Sequence, residues 1–361
     1  MKAAVLHEVK TPLQIEDVQI SKPGPREVLV RTSAVGVCHS DLHIADGHYP
    51  FRLPAVLGHE AAGIVEQVGS DVTYVKPGDH VITCLSVFCG HCEHCLTGHM
   101  ARCGSRETQR SKEDEPRLML NGRYMTQFAS LSAYAEQMLV HEHAIVKVRE
   151  DMPLDRAALI GCGVMTGAGA AINTAKVEPG STVAVIGCGG IGLSAINGAA
   201  IAGAGRIIAI DMVGSKLNLA KQFGATDVIN AKDGNVVEQV RELTGGGVHY
   251  SFEAIGLKQT AEDAFKMVRT GGVATVIGMI PVGTMVEVHG AELLQEKKLQ
   301  GSMMGSNRFR VDMPRLVDFY MSGKLKLDEM ISDHIKLEDI NQAFDNLRTG
   351  EVARQVIMMD S

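Results

Sequence analysis

The chain has 361 residues, 45% of them hydrophobic and 39 of them glycine, which is too long for one small core and suits two buried, turn-rich domains. A formal charge of −7 gives no electrostatic footing for nucleic acid. Met1–His7 turns polar too early for a secretory signal, and no run approaches the roughly 18 uninterrupted apolar residues of a membrane span, so the expectation is a cytoplasmic protein with reduced cysteines and no membrane partner.

Lys2–Val9, Leu13–Ile20 and Glu27–Val37 read as strands, punctuated by Pro23-Gly24-Pro25 and Lys76-Pro77-Gly78-Asp79; this spacing suits a compact antiparallel barrel or sandwich. Next come Cys89, Cys92, Cys95 and Cys103. Zinc takes about four N or S ligands, and short Cys-x-x-Cys loops present two sulfurs to one ion without strain. A disulfide framework is the competing reading, and a chain this long without an export signal has little need of one. A closed four-thiolate site has no open coordination position, so it would stabilise a lobe and leave the chemistry to another site. The densest charge run, Ser105–Arg117, reads most simply as a solvated surface loop.

From about residue 154 apolar strands alternate with amphipathic helices: strand Thr182–Ile186, helix Gly190–Ala202, strand Arg206–Ile210, helix Lys216–Phe223, helix Thr260–Val268, strand Val273–Gly278. That alternation implies an α/β fold with a parallel, doubly wound sheet. Helices at Met313–Met321 and Leu337–Arg348 and a last strand, Arg354–Met358, follow. A return of this C-terminal segment to the first domain is one arrangement the pattern allows.

Gly187-Cys188-Gly189-Gly190-Ile191-Gly192 fits G-x-G-x-x-G, with a strand feeding in and a helix leaving. Gly187 permits the tight turn, Gly189 the approach of a pyrophosphate, Gly192 close helix–strand packing, and the helix N-terminus, from Gly190 and Ile191, offers free N–H groups. Asp211 ends the next strand, where a carboxylate accepts from ribose hydroxyls and repels a 2′-phosphate, favouring NAD over NADP. Lys216 is near enough to reach the same ribose; it is equally an ordinary helix-surface lysine.

Cys38, His59 and Cys162 stand in suggestive company, in Gly36-Val37-Cys38-His39-Ser40-Asp41, Gly58-His59-Glu60 and Gly161-Cys162-Gly163. Two thiols, one imidazole and water make a catalytic zinc with an open fourth position. Ligands so far apart cannot be paired from the residues alone, and the competing reading is two buried apolar cysteines and a core histidine, the bland role expected of Cys84 and Cys188.

Gly58-His59-Glu60-Ala61-Ala62-Gly63, continuing to Gly69 and Val72, is similar to the zinc-containing alcohol dehydrogenase signature. With Cys38, Cys162, the four-cysteine nest and the Gly187–Gly192 loop, the whole chain resembles the zinc-dependent medium-chain alcohol dehydrogenases. The resemblance implies a β-rich, barrel-like (GroES-like) catalytic domain from residues 1–163 and 303–361, with a Rossmann domain inserted at 164–302. It implies two zinc ions per subunit and NAD, with Cys38, His59 and Cys162 as catalytic ligands. Ser40 would accept the alcohol proton by hydrogen bonding, and His43 would pass it towards solvent. Asp41 would orient the His59 ring, and Glu60 would sit beside the metal. His39, Thr166 and Arg354 would contact the cofactor.

The implied substrate is a small alcohol or aldehyde. Leu85 falls where many relatives place a bulky aromatic, and with Met279 and Met303 it suggests a roomy apolar pocket for medium-chain or aromatic primary alcohols. The alternative is a glutathione-dependent formaldehyde dehydrogenase, acting on S-(hydroxymethyl)glutathione. In that class an acidic residue and an arginine hold the glutathione carboxylates; here those positions carry Tyr49 and Glu107, with Arg106 one place away. A zinc-free quinone reductase or a non-catalytic NAD-binding protein would lack ligands or relay residues that this chain has. The long Cys103–Ser130 segment resembles the dimeric, longer-loop members of the family, which suggests a homodimer and leaves a tetramer open.

Overall fold

Val28, Val30, Thr32, Ala34 and Val35 make Glu27–Gly36 a strand buried along almost its whole length, as expected of one covered on both faces. In the computed structural model, which describes residues 1–111, 113–350 and 353–359, this strand lies inside a seven-stranded sheet. The order is Ile145–Lys147, His80–Thr83, Glu60–Val68, Glu27–Gly36, Arg354–Met358, Ile331–Ile335, and Gln137–His141 also pairs with Glu27–Gly36. Arg354–Met358 enters by antiparallel pairing of Val356, Ile357 and Met358 with Gly36, Val35 and Ala34. The last strand is therefore an internal strand of the sheet. A four-stranded sheet and a three-stranded sheet complete the β structure of this first unit, which comprises Met1–Cys162, Arg308–Met321 and Met330–Ser361.

Two strands differ from the sequence reading. Leu13–Ile20 is not continuous: Gln14–Asp17 pairs with Lys2–Leu6, while Gln19–Ile20 pairs with Leu118–Leu120. Val18, 1% exposed, sits at the switch between sheets and fills the core there. Lys2–Val9 stops at Leu6, ahead of a turn in which Lys10 takes φ 62°.

The charged run is also more than a solvated loop. Arg110 and Arg117 turn inward onto the buried Glu27 carboxylate at 2.5 and 2.7 Å. Arg110 further bonds Ser21 Oγ and the Lys22 and Glu115 carbonyls, so the loop is pinned by its two arginines while Arg106, Glu107, Glu113, Asp114 and Glu115 face water.

The second unit comprises Gly163–Asn307 and Ser322–Glu329. Its six strands are all parallel, ordered Asp227–Asn230, Arg206–Asp211, Thr182–Ile186, Val248–Glu253, Val268–Val276, Lys298–Gly301. Numbered along the chain this is 3-2-1-4-5-6, the doubly wound order of dinucleotide-binding sheets. Its boundary falls at 307/308 where the sequence suggested 302/303. The segment Ser322–Glu329 joins it because the buried Asn197 amide accepts from Lys326 N and donates to Lys324 O, at 2.8 and 3.2 Å.

Leu154–Thr174 is a continuous helical run long and apolar enough to cross a membrane by length and composition alone. In its most apolar window 83% is buried within the protein, which makes it a core helix.

Glu27→Gln would leave two guanidinium groups facing an uncharged amide. We expect a loss of about 3 kcal/mol in urea unfolding. Burial pushes the Glu27 pKa up, but Arg110 and Arg117 outweigh it and hold the carboxyl below its usual range. Its contribution should accordingly be complete above the unfolded pKa of about 4.3 and be lost as pH falls further. The variant should therefore flatten the acid limb of the stability profile.

Candidate functional site

In the second unit, the strand Thr182–Ile186 delivers the chain to Gly187, whose φ of +94° suits glycine, and Gly189 caps the helix Gly190–Ile201. A Cβ at Gly192 would lie 1.7 Å from Gly187 O, so the helix can start this close to the strand only with glycine there. A Cβ at Gly189 would meet nothing within 4 Å: the surface is open where a pyrophosphate would lie against the helix N-terminus. Asp211 ends the next strand and its side chain accepts from Cys188 N and Val213 N, at 2.8 and 2.9 Å, fixing the carboxylate beside the glycine turn. A cavity of about 860 Å³ opens next to it, lined by Ile186, Ile210, Asp211, Met212 and Ile255 among others. An apolar slot with one carboxylate at its mouth fits an adenosine whose ribose hydroxyls donate to that carboxylate. Lys216 is half-buried in the first turn of Gly214–Gln222, and Thr166 is buried, donating to Met304 Sδ at 3.3 Å.

In the first unit, the four thiols of the Cys89–Cys103 lobe lie together, and all eight cysteines are free of disulfides. Sulfur separations are 3.5 Å for Cys92–Cys95, 3.8 Å for Cys92–Cys103 and 3.9 Å for Cys89–Cys95. A tetrahedron with Zn–S arms of about 2.3 Å has edges of about 3.8 Å, so the donor set fits zinc. The His91 backbone N–H lowers Cys89 to about 6, with Cys92 N–H adding to it; a thiolate is thus favoured at the first ligand.

Cys38, His59 and Cys162 form the second cluster, with ligand atoms within 4.8 Å of one another and exposures of 2, 0 and 4%. Cys38 follows the strand Glu27–Gly36 and caps the helix His39–Ala45. His59 precedes the strand Glu60–Val68, and Cys162 lies in the π-helical turn Ile160–Val164, a local widening that often marks functional sites. His59 Nε2 is 3.2 Å from Cys162 Sγ, close to the edge of about 3.5 Å expected for mixed N and S ligands of one ion. Its other nitrogen, Nδ1, is 3.1 Å from Asp41 Oδ2, which fixes the ring and directs Nε2 at the thiols. Burial disfavours charge on His59, but Asp41 and Cys38 outweigh it and raise its pKa. The hydrogen bond from Cys162 lowers Cys38 well below a free thiol, helped by Arg354 and His59. The three donors and their counter-charges fit a zinc ion with one open position.

Arg354 is 3% exposed and faces inward: its guanidinium lies 3.5 Å from Glu60, bonds Val37 O at 3.4 Å and is 4.0 Å from Cys38 Sγ. Ser40 Oγ is 3.8 Å from Cys38 Sγ. His43, half-buried, pairs its Nδ1 with His48 Nδ1 at 3.1 Å, and Tyr49 meets it edge-on. His39 is exposed at the start of the same helix. Leu85 is half-buried against the first unit's core, whereas Met279 and Met303 lie on the second unit, 41% and 58% exposed. Cys84 and Cys188 are buried, and burial pushes their thiols up to about 11 and about 12, consistent with inert packing roles.

Three residues escape sequence reasoning. Phe128 stands edge-on to the His59 ring, centroids 5.5 Å apart, and Phe51 packs edge-on to Phe128 at 5.4 Å. Tyr134 bonds Asp41. They lie in stretches with no motif, and only the folding of the first unit brings them to His59.

Residues 24–150 match the family model described as alcohol dehydrogenase GroES-like domain, and residues 190–322 that described as zinc-binding dehydrogenase. The chain is 39% identical over 368 residues to the alcohol dehydrogenase class-3 of Oryza sativa subsp. japonica, covering 99% of this chain and 97% of that one. It is 41% identical over 366 residues to the class-3 enzyme of Drosophila melanogaster, with the same coverage of 99% and 97%. The crystal structure of benzyl alcohol dehydrogenase from Acinetobacter calcoaceticus superposes with a TM-score of 0.94 at 36% identity, covering 99% of both chains.

Elemental analysis should find about two zinc ions per chain, one for each cluster. Cys103→Ala is expected to leave about one and lower the Tm by about 5 °C or more, whereas Cys162→Ala should leave about one with a smaller loss of Tm. Retention of both ions in either variant would exclude the corresponding ligand set.

Proposed function

The chain belongs to the zinc-containing medium-chain alcohol dehydrogenase family, and from that premise we propose that it oxidises aromatic and medium-chain primary alcohols with NAD at the Cys38–His59–Cys162 centre. It is an NAD-dependent oxidoreductase of the alcohol dehydrogenase type. In this reading, the unit made of Met1–Cys162, Arg308–Met321 and Met330–Ser361 is the catalytic domain, and that made of Gly163–Asn307 and Ser322–Glu329 is the nucleotide domain. The Cys89, Cys92, Cys95 and Cys103 ion is structural.

Cys38, His59 and Cys162 would hold zinc, which would supply Lewis-acid activation of the alcohol hydroxyl, and Gly187–Gly192 would hold NAD, which would supply the hydride acceptor. The protein's own groups do the rest. Asp41 holds His59 in one tautomer. Arg354 offsets the thiolate charge and keeps Glu60 beside it. The Ser40 hydroxyl, two residues from a ligand, accepts the substrate proton in a hydrogen bond and hands it towards His43. Burial first, and then His48, lower the His43 pKa below its ordinary 6.5, so the ring is neutral and able to take a proton at neutral pH. His39 and Thr166 help to seat the cofactor, as do Asp211 and Lys216 on the ribose.

The observation that carries the substrate assignment is the Phe128 ring, edge-on to His59, with Phe51 edge-on to Phe128 behind it. Both rings are half-buried and offer an aromatic wall beside the reacting position, complementary to a benzylic ring. Leu85, half-buried against the first unit's core, is less bulky than an aromatic and suits a roomy site. The benzyl alcohol dehydrogenase relative supports the same class.

The class-3 relatives favour a second reading, S-(hydroxymethyl)glutathione as substrate. Against it, Glu107 is 65% exposed beside His91, where an acid would repel a glutathione carboxylate, and Tyr49 packs on His43. The protein is further proposed to be a cytoplasmic homodimer. Its unpaired cysteines suit a reducing compartment, and the edge strand Lys298–Gly301 can pair with a second copy.

NADH production at 340 nm should show benzyl alcohol exceeding ethanol by about tenfold or more in kcat/KM, and Phe128→Ala should erase most of that margin. Turnover confined to the glutathione adduct would replace the first reading by the second. His43→Gln should slow alcohol oxidation about 100-fold at pH 7 and much less near pH 10, where hydroxide takes the proton directly. In the parent enzyme the fall in rate attributable to His43 protonation should lie below pH 6.5, in keeping with its lowered pKa.

A further inference from the structure

Asp41 has no exposure to water, and its two oxygens are shared among three donors. Oδ1 accepts from Gly58 N at 2.8 Å. His59 Nδ1 lies 3.2 Å from Oδ1 and 3.1 Å from Oδ2. The third donor is the Tyr134 hydroxyl, 3.0 Å from Oδ2. Tyr134 is itself fully buried. The buried phenol thus holds the carboxylate that holds the imidazole.

The surrounding chain is shaped to allow this. Tyr134 N donates to Leu57 O at 3.0 Å, and its carbonyl accepts from Ala4 N at 2.8 Å, so its backbone is fixed on both sides. Gly58 takes φ +88°, and a Cβ there would lie 2.5 Å from Tyr134 N and 2.7 Å from its ring. Only glycine beside the ligand histidine leaves space for the ring. Packing alone does not call for a hydroxyl: the ring lies among apolar neighbours, edge-on to Phe344, and phenylalanine would fill the same volume. A phenol buried this deeply is favourable only if its hydroxyl is bonded.

We propose that Tyr134 is a positioning residue for the catalytic metal, its hydroxyl locking Asp41 and, through it, the ring of His59. This rests on the reading of Cys38, His59 and Cys162 as that metal's ligands. Outer partners of ligating histidines typically change metal retention by about 10- to 100-fold when removed.

The test is metal release from purified holoenzyme to a chromogenic chelator, with the two phases assigned by a Cys38→Ser variant that lacks the catalytic ion. Tyr134→Phe should speed release from the catalytic site about tenfold and leave the four-thiolate phase unchanged. It should also displace the visible d–d bands of the cobalt(II)-substituted enzyme. Release at the parental rate with unchanged bands would overturn the proposal. Equal acceleration of both phases would also overturn it, since that is the mark of a general loss of stability. If Tyr134→Phe does not fold, 3-fluorotyrosine at position 134 decides: it keeps the hydroxyl as a stronger donor, so displaced cobalt bands support the proposal and identical bands refute it. A Cys38→Ser enzyme that still holds two ions would instead remove the underlying assignment of ligands.

Discussion

Thiols and an imidazole buried at 0–4% exposure within 4.8 Å of each other make an arrangement that cannot be stable by packing alone. Each group is polar, each would prefer its own charge state, and no water is available to reconcile them. The chain responds with opposite charges at short range: Asp41 on one side of His59, Arg354 on the far side of Cys38, Glu60 against Arg354. These side chains come from segments scattered along the first unit. The strands Glu27–Gly36, Glu60–Val68 and Arg354–Met358 end at this cluster because their pairing registers bring Gly36 opposite both Glu60 and Val356. Sheet register and metal chemistry are therefore one constraint.

The second unit meets a different demand, which is to bring backbone close to an anion without burying charge. It does so with absent side chains. Gly187 and Gly192 let strand and helix approach, and Gly189 leaves the approach clear. The carboxylate at the turn, Asp211, is tied by two backbone donors, so its position is set before any ligand arrives. Pre-set polarity of this kind reduces the ordering that binding must impose.

How much of this was legible depends on how far apart the partners lie. The four-thiol nest and the glycine loop are local, so spacing, with the flanking strand and helix in the case of the loop, was enough to suggest their chemistry. Parallel strand–helix alternation was equally plain. His59 and Cys162 are 103 residues apart, and nothing in either segment points to the other; the Gly58–Gly63 signature linked them only through a family resemblance. The Ser105–Arg117 run was misread for the same reason, since Glu27 lies 83 and 90 residues from the two arginines that bind it. Leu13–Ile20 kept a strand-like composition through Val18 while the chain changed sheets, a tertiary event that local pattern does not record. Phe128 and Tyr134 were invisible because apolar residues carry no signature of what they will face.

The internal place of Arg354–Met358 in the first unit's sheet has a consequence for how the molecule is made. Most of the second unit is a continuous stretch, Gly163–Asn307, completed by the short Ser322–Glu329, all of it synthesised before that last strand. The first unit cannot close its sheet between Glu27–Gly36 and Ile331–Ile335 until Arg354–Met358 has been made. Contacts as distant as Arg354 with Val37, 317 residues apart, carry a large loop-closure cost and form late. The order of maturation is thus inverted relative to the order of synthesis: the chain of the second unit is complete while the first still lacks the strand that brings Arg354 to Cys38 and Glu60.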